Sequence, residues 1–239
     1  MVTGAASGIG LATAERFARQ GATVVMADRS PCEELAASLP GGAIAIRTDI
    51  SDPASVAALF EAVADRFGRL DILINNAGID RRGTLEQVGV EEIDAVIAVN
   101  LRGTILCSRA ALPLLRPVRG TIVNVASELG LIGAPGLPVY VATKGGVVQL
   151  TKALAIDHAA DSIRVNCVCP GATLTPLLQG SIDRAPDPEA RRRLLDGTTL
   201  MKRVGRPEEI ASVICFLASQ EASFMTGAIV PVDGGATAA

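Results

Sequence analysis

Short runs of Val, Ile, Ala and Leu punctuate this chain, and amphipathic stretches separate them. ATVVMADRS ends an apolar run at Asp28, GGAIAIRTDI ends one at Asp49-Ile50, and RLDILINNAG runs into Asn75-Asn76-Ala77-Gly78. TIVNVAS closes at Ser127, SIRVNCVCPG at Pro170-Gly171, and AIVPVDGG comes last. Such runs carry little polar alternation, which predicts strands covered on both faces, as in a parallel sheet packed between helices. The intervening stretches have helical period. One runs from about Ile9 to Gln20, and SDPASVAALFEAVADRFG follows the third strand with Ser51 or Asp52 as its cap and Pro53 in its first turn. VEEIDAVIAVNLRGTILCSRAALPLL, a helix from about Pro138 to Ala159, and GRPEEIASVICFLAS complete the set. No internal repeat or linker divides the chain, so one α/β domain is expected.

Two stretches break this rhythm. Only Met1-Val2 precedes the glycine-rich TGAASGIG, where a strand is expected. Either the recorded start is late or the first strand is very short, and that strand would be central in the sheet. Residues 172–204 are polar and carry Pro176, Pro186 and Pro188 among helical fragments. A long insertion at the C-terminal edge of a sheet is a candidate substrate lid.

Composition narrows the function classes. At 239 residues with 49% apolar content, the chain can bury a large core. Its net charge is −3 and its one basic cluster is Arg191-Arg192-Arg193, which gives nucleic acid no footing. Those arginines could grip a substrate carboxylate or phosphate, but read more simply as a solvated helix face. No apolar run has the length of a bilayer span and the N-terminus lacks a signal-peptide shape, so a cytoplasmic protein with no membrane partner is expected. None of the five cysteines forms a CxxC, and His158 is the single histidine, so no metal site is expected. Cys167 and Cys169 would face one side of a strand as buried, inert thiols. His158, near a helix end, reads as structural.

The candidate chemistry lies at strand ends. Gly4, Gly8 and Gly10 are spaced for a tight turn into a helix, where free N–H groups favour a pyrophosphate. Asp28, eighteen residues past Gly10, is placed to accept hydrogen bonds from ribose hydroxyls. It would repel a 2′-phosphate, and Ala5 and Ala6 add no positive charge, so NAD is expected over NADP. Arg29 alone points the other way. Asn100 sits inside a helical stretch, where asparagine is mildly unfavourable. It is either surface polarity or the mark of a local distortion that frees a carbonyl. Ser127 ends a strand, Tyr140 follows thirteen residues later as the only tyrosine, and Lys144 comes four residues on, on the same helix face. A phenol has a pKa near ~10, and a nearby ammonium favours its ionised form. Tyr-x-x-x-Lys alone is a common helix pattern, and the segments before it give it weight.

TGAASGIG (3–10), Asp28, Asp49, NNAG (75–78), Asn100, Ser127, YVATK (140–144), PG (170–171) and the closing GRPEEIA, FLAS, TG and VDGG (205–235) together resemble a short-chain dehydrogenase/reductase, over essentially the whole chain. The resemblance implies a single Rossmann-type, doubly wound parallel sheet of about seven strands. It implies Ser127, Tyr140 and Lys144 as catalytic residues, with Asn100 as the fourth member of a proton relay. The cofactor would contact Gly4, Ser7, Gly8, Ile9 and Gly10 in the turn, then Asp28, Asp49 and Ile50. Asn76, Ala77 and Gly78 would follow on the adenosine side, then Tyr140, Lys144 at the nicotinamide ribose, Pro170, Gly171, Thr173 and Thr175. Asp49 would touch adenine and Thr175 the carboxamide. Lys144 would lower the Tyr140 pKa, and a homotetramer is common. Ala126 stands where many relatives carry a second serine.

The substrate pocket is expected from Glu128 to Val139 and from 172–204. Leu129, Leu131, Ile132, Leu137 and Leu177 make it mostly apolar, Glu128 could bind a hydroxyl, and Leu137-Pro138 offer no cation beside Tyr140. A small secondary alcohol or ketone, cyclic, polyol or sugar-acid-like, is the first expectation. A 3-oxoacyl carrier-protein reductase shares nearly all these motifs, but usually takes NADP and needs a basic patch. A catalytically silent NAD-binding regulator is the third reading, and retention of all four tetrad positions speaks against it.

Overall fold

The computed structural model describes residues 1–238. Its sheet has seven strands in the order β3-β2-β1-β4-β5-β6-β7. These are β1 (Val2–Thr3), β2 (Val25–Asp28), β3 (Ile44–Arg47), β4 (Ile72–Asn75), β5 (Thr121–Val125), β6 (Arg164–Pro170) and β7 (Ile229–Val232). Every pairing is parallel. The chain moves outward from β1 to β3, then returns to the other side of β1 with β4. The strand order therefore reverses between β1 and β4, where the crevice at the carboxyl ends of the strands is widest.

Helices cover both faces, as the apolar runs predict. Ala14, Phe17 and Ala18 of α1 (Gly8–Arg19), Ala36 of α2 (Glu33–Ser38) and Ile210, Ile214 and Leu217 of α9 (Pro207–Ala218) pack on one face with Met26, Ile74 and Val168. On the other lie Leu59 and Phe60 of α3 (Pro53–Phe67), and Cys107, Ala111 and Leu115 of α5 (Thr104–Leu115), with Leu73 and Ile122. Val147 and Val148 of α6 (Pro138–Asp157) pack with Cys167 and Cys169. Asp52 is the α3 cap, accepting from the Ala54 N–H at 3.0 Å, with Pro53 behind it.

The first strand is very short and central: Val2 pairs with both Met26 and Ile74. The Thr3 hydroxyl adds a bond to the Ile74 carbonyl at 3.3 Å. The six-residue α2 is absent from the sequence expectation, being too short for a period to register. A second difference concerns α4 (Val90–Ile97), which continues through a π-turn (Ala98–Gly103) into α5. From Val90 to Val118 the helical rod is long and apolar enough, by length and composition, to cross a membrane. Asp94, Arg102 and Arg109 interrupt its apolar run, which is why reading for unbroken runs passes over it. Here the rod lies on the sheet, with Val96, Cys107, Ala111 and Leu115 fully buried. Residues 172–204 fold as α7 (Pro176–Asp183) and α8 (Pro188–Gly197) after a bridge between Thr173 and Gly205.

Candidate active site

The glycine turn joins β1 to α1 and is closed by close backbone contact. Gly4 has φ +64° and Gly8 φ +55°, the left-handed region that glycine enters without strain. Asn76 clamps the turn, donating from Nδ2 to the Thr3 carbonyl at 2.9 Å and to the Gly4 carbonyl at 3.1 Å. Its backbone N–H donates to the Thr3 hydroxyl at 3.0 Å. The Asn76 Nδ2 group is thus committed to shaping the turn, and Asn76, Ala77 and Gly78 line the cleft beside it. Ser7 precedes α1 with no side-chain cap, and Gly8 and Ile9 of its first turn line the cleft with backbone N–H groups that have no side-chain cap. That donor set suits a pyrophosphate.

Asp28 stands beside this turn at the end of β2. One oxygen accepts from the Ala6 N–H at 2.9 Å and the other from the Ser30 N–H at 2.8 Å, fixing the carboxylate. Asp49 takes two bonds on one oxygen, from the Ser51 hydroxyl at 2.6 Å and the Ser51 N–H at 2.9 Å. The Ser51 hydroxyl holds its carboxyl below the usual carboxylate range, and Arg29 adds to this. Ile50 packs against Gly103, closing the floor between the π-turn and β3. Thr175 caps α7, accepting from Leu178 at 3.3 Å, and its methyl lies against Gly8. Thr173 is buried and donates to the Gly171 carbonyl at 2.8 Å. Pro170 and Gly171 end β6 on the same rim, with the Gly171 N–H bonded to the Val232 carbonyl at 3.0 Å.

Asn100, Ser127, Tyr140 and Lys144 converge at the opposite end of the cleft. Asn100 sits in the π-turn, as the alternative of a local distortion anticipates, and is 1% exposed. Its side chain exchanges two bonds with Ile79, accepting from the N–H at 2.8 Å and donating to the carbonyl at 2.8 Å. Its carbonyl accepts from the Thr104 hydroxyl at 2.9 Å. Ser127 follows β5, and its hydroxyl accepts from the Leu129 N–H at 3.1 Å. Pro138 starts α6, placing Tyr140 in its first turn and Lys144 in the next. Lys144 is buried, donates to the Val125 carbonyl at 2.9 Å, and its Nζ lies 5.7 Å from the Tyr140 ring centre. Burial pushes the Lys144 ammonium down to about 8, opposed by the thiols of Cys167 and Cys169.

The Tyr140 phenol departs from expectation. Burial pushes it up to about 12, against the lowering expected from Lys144. The neighbouring Ser127 hydroxyl pulls it down, while Asp80 and Glu128 push it further up. Desolvation outweighs hydrogen bonding because the half-buried phenol would lose much of its hydration on ionising. Glu128 is a half-buried acid, pushed up to about 7 by burial and then by Asp233. Its Oε2 has no partner, and a Cβ on Gly171 would lie 2.9 Å from it.

A buried polar chain behind the site escaped the sequence. Asn75 donates to the Ser108 hydroxyl at 3.0 Å and to Asn124 at 2.9 Å, and Asn124 donates to Thr151 at 2.9 Å. Its one signal is the repeated asparagine in strands that are otherwise apolar. His158 ends α6 and pairs with Asp161 at 3.0 Å, away from the cleft. All five cysteines are buried and free, with Cys167 and Cys169 sulfurs 4.0 Å apart. No metal-binding cluster exists among the described residues.

One cleft of about 620 Å³ links the glycine turn to Tyr140. Leu129, Leu137, Leu177, Leu194 and Leu195 line it, together with Asp80, Arg82 and Arg191. Of the three-arginine run, Arg191 alone turns into the cleft, while Arg192 and Arg193 stay exposed. Leu131 and Ile132 are not in the lining; they are exposed at 39% and 42%.

Residues 4–237 match a family model described as Enoyl-(Acyl carrier protein) reductase. The chain is 42% identical to meso-2,3-butanediol dehydrogenase of Serratia marcescens, across 100% of this chain and 94% of that protein. It superposes on the aldohexose dehydrogenase of Thermoplasma acidophilum with a TM-score of 0.92 and 34% identity, covering 100% of this chain and 93% of the other. For the 3-ketoacyl-(acyl-carrier-protein) reductase of Brucella melitensis, solved with NADH, the TM-score is 0.91 at 40% identity, covering 98% and 96%.

Proposed function

The chain belongs to the short-chain dehydrogenase/reductase family of oxidoreductases, and from that premise we propose that it transfers hydride between NAD(H) and a small secondary alcohol or ketone, cyclic, polyol or sugar-acid-like. The observation that carries this reading is the meeting of Asn100, Ser127, Tyr140 and Lys144 at one end of a cleft whose other end is the glycine turn. The similarity to a diol dehydrogenase and an aldohexose dehydrogenase supports the substrate class.

In the proposed chemistry, the Ser127 and Tyr140 hydroxyls hold the carbinol oxygen. Tyr140 Oη takes its proton during oxidation and returns it during reduction. Lys144, fixed by the Val125 carbonyl, keeps a positive charge near the phenolate while that charge exists. Asn100, held by Ile79, anchors the loop after β4 against the π-turn. When bound, the nicotinamide supplies the hydride acceptor for oxidation and the donor for reduction. Helices α7 and α8 form the lid, bringing Leu177, Leu194 and Leu195 over the cleft to exclude water.

NAD preference rests on Asp28. Its two backbone bonds hold a negative charge beside the turn, where a 2′-phosphate would meet it. Asp28→Asn, which keeps an acceptor for the Ala6 N–H, is expected to raise the NADP-to-NAD ratio of kcat/KM by roughly tenfold, the effect of ~1.4 kcal/mol. An unchanged ratio would remove Asp28 as the discriminator. The test of the activity is initial-rate NADH formation at mildly alkaline pH over secondary alcohols, polyols, hydroxy acids and sugar acids. Turnover confined to NADP and acyl thioesters would favour a carrier-protein reductase, a reading the Brucella neighbour keeps in view.

The homotetramer belongs to the same proposal. Ile97 and Ile105 on the long helical rod are 40% and 41% exposed, Ile156 on α6 is 78% exposed, and Phe224 is wholly exposed. Apolar side chains of that size in water favour association. Sedimentation velocity is expected to give a four-chain species, and a monomer at micromolar concentration would rule it out.

A further inference from the structure

Two guanidinium groups, those of Arg82 and Arg191, line the cleft, and Arg184 lies outside the lining at the end of α7. Arg82 follows the Ile79-Asp80 corner that Asn100 holds, and its loop is tied to the approach to α6 by the Gly83 N–H bonding the Gly136 carbonyl at 3.0 Å. Arg184 ends α7, with Nη1 folded back to within 3.1 Å of where a Gly180 Cβ would be. Arg191 lies on α8 and faces the cleft. Arg82 and Arg191 share one lining, and like charges there repel. The Arg82 guanidinium is held below its ordinary value by burial first, then by Arg191, with Asp80 opposing and Arg184 adding to it. Counter-charge is thin. Arg82 meets Asp80 at only 4.0 Å, and among the described residues neither Arg184 nor Arg191 forms an ion pair or a side-chain hydrogen bond. Arg193 shows the contrast, pairing with Glu189 at 3.5 Å on the solvent face.

Like charges crowded at a cleft are unfavourable unless an anion joins them. This pair lies on the substrate side, since the Gly83–Gly136 bond ties the Arg82 loop to the approach to α6 and Tyr140, while Arg29 and Asp28 mark the adenosine end. Asp80 is the carboxylate beside Arg82, and Arg191 has none, which leaves the pair short of one negative charge. Building on the oxidoreductase reading, we propose that Arg82 and Arg191 form an anion clamp, and that the preferred substrate is a secondary alcohol or ketone bearing a carboxylate remote from the reacting carbon. The bulk between the clamp and Tyr140 is apolar, with Leu137, Leu177 and Leu194 in the lining, so a hydrocarbon frame joins the two ends. This also answers the lack of a cation beside Tyr140 at Leu137-Pro138: the cations come from the lid and from the loop after β4.

The test is calorimetric binding of cyclohexanecarboxylate and of its neutral match, cyclohexanecarboxamide, with and without NADH. The wild-type protein is compared with Arg82→Gln, Arg191→Gln and the solvent-facing control Arg192→Gln. The acid is expected to bind roughly tenfold or more tighter than the amide, as for a charge-assisted pair. That ratio should fall toward one in Arg82→Gln and in Arg191→Gln, and persist in Arg192→Gln. Equal binding of acid and amide by the wild-type protein, or binding of neither, overturns the clamp. So does an Arg192→Gln effect as large as that of Arg191→Gln, which would mean diffuse charge. The two readings fail separately: absence of turnover on every alcohol defeats the oxidoreductase reading while an acid preference can stand, and turnover of neutral alcohols can stand without any acid preference.

Discussion

Tyr140→Phe is expected to lower turnover by roughly 10²- to 10⁴-fold, the range of a lost general acid or base, with NADH affinity kept within a few-fold. Phenylalanine preserves the ring in the first turn of α6 and removes only Oη. Lys144 keeps its bond to the Val125 carbonyl, and Asn76 keeps the glycine turn, so the parts proposed to hold the cofactor are untouched. The pH profile gives a second readout. With the phenol pushed up to about 12, its ionised fraction grows with each pH unit through the neutral and alkaline range. Alcohol oxidation by the wild-type protein is therefore expected to speed up as pH rises. Lys144, pushed down to about 8, loses its charge over the upper part of that range and holds back the phenolate. The rise should accordingly flatten above about 8. Reduction uses the neutral phenol and should not rise with pH. Initial rates across pH, paired with NADH fluorescence titration, measure both. A Tyr140→Phe protein within tenfold of the wild-type rate sinks the assignment of Tyr140.

The contrast between Arg191 and its neighbours shows where sequence stops being informative. Strands β2 to β7 are legible because each is an apolar run; the inner strands β2, β4, β5 and β6 are buried, and the edge strands β3 and β7 only partly so. Gly4, Gly8, Asp28 and Asn76 are legible because a strand–turn–helix dictates their spacing. Asn100 is legible as an oddity, and the π-turn is what makes it one. Arg191, Arg192 and Arg193 are chemically identical and adjacent, and only the placement of α8 over the cleft separates them. The same holds for Arg82, which no local pattern distinguishes from Arg81. Asn76 is found by its motif, yet its amide bonds the Thr3 and Gly4 carbonyls, a use visible only once β1 and β4 lie side by side. The Tyr140 phenol is the sharpest case. Spacing places a lysine one turn away and suggests a lowered pKa, whereas burial, which depends on the whole fold, sets the opposite direction.

Gly10→Ala is expected to weaken NADH binding by roughly tenfold or more and to destabilise the fold by about 1–3 kcal/mol, the scale of an overpacked site. Gly10 has ordinary helical backbone, so the effect is purely steric. An added Cβ would lie 2.0 Å from the Gly4 carbonyl oxygen and 2.5 Å from Asn76 Nδ2. Neither partner can give way cheaply. The Gly4 carbonyl is held by Asn76 Nδ2 at 3.1 Å, and Gly4 is itself pressed on Ala77, where a Cβ of its own would lie 2.7 Å from the Ala77 Cα. The methyl must therefore lift the start of α1 away from β1, moving the N–H groups that face the cleft. Gly21→Ala separates this displacement from ordinary glycine loss. Gly21 has φ +84° with nothing within 4 Å of its Cβ position, so alanine there adds backbone strain of about 1 kcal/mol and no clash. Its NADH affinity should match the wild type. Thermal unfolding and NADH titration of both variants give the comparison, and the decisive quantity is the affinity. If Gly10→Ala binds NADH as tightly as Gly21→Ala, the turn does not cradle the cofactor, whatever either substitution does to stability.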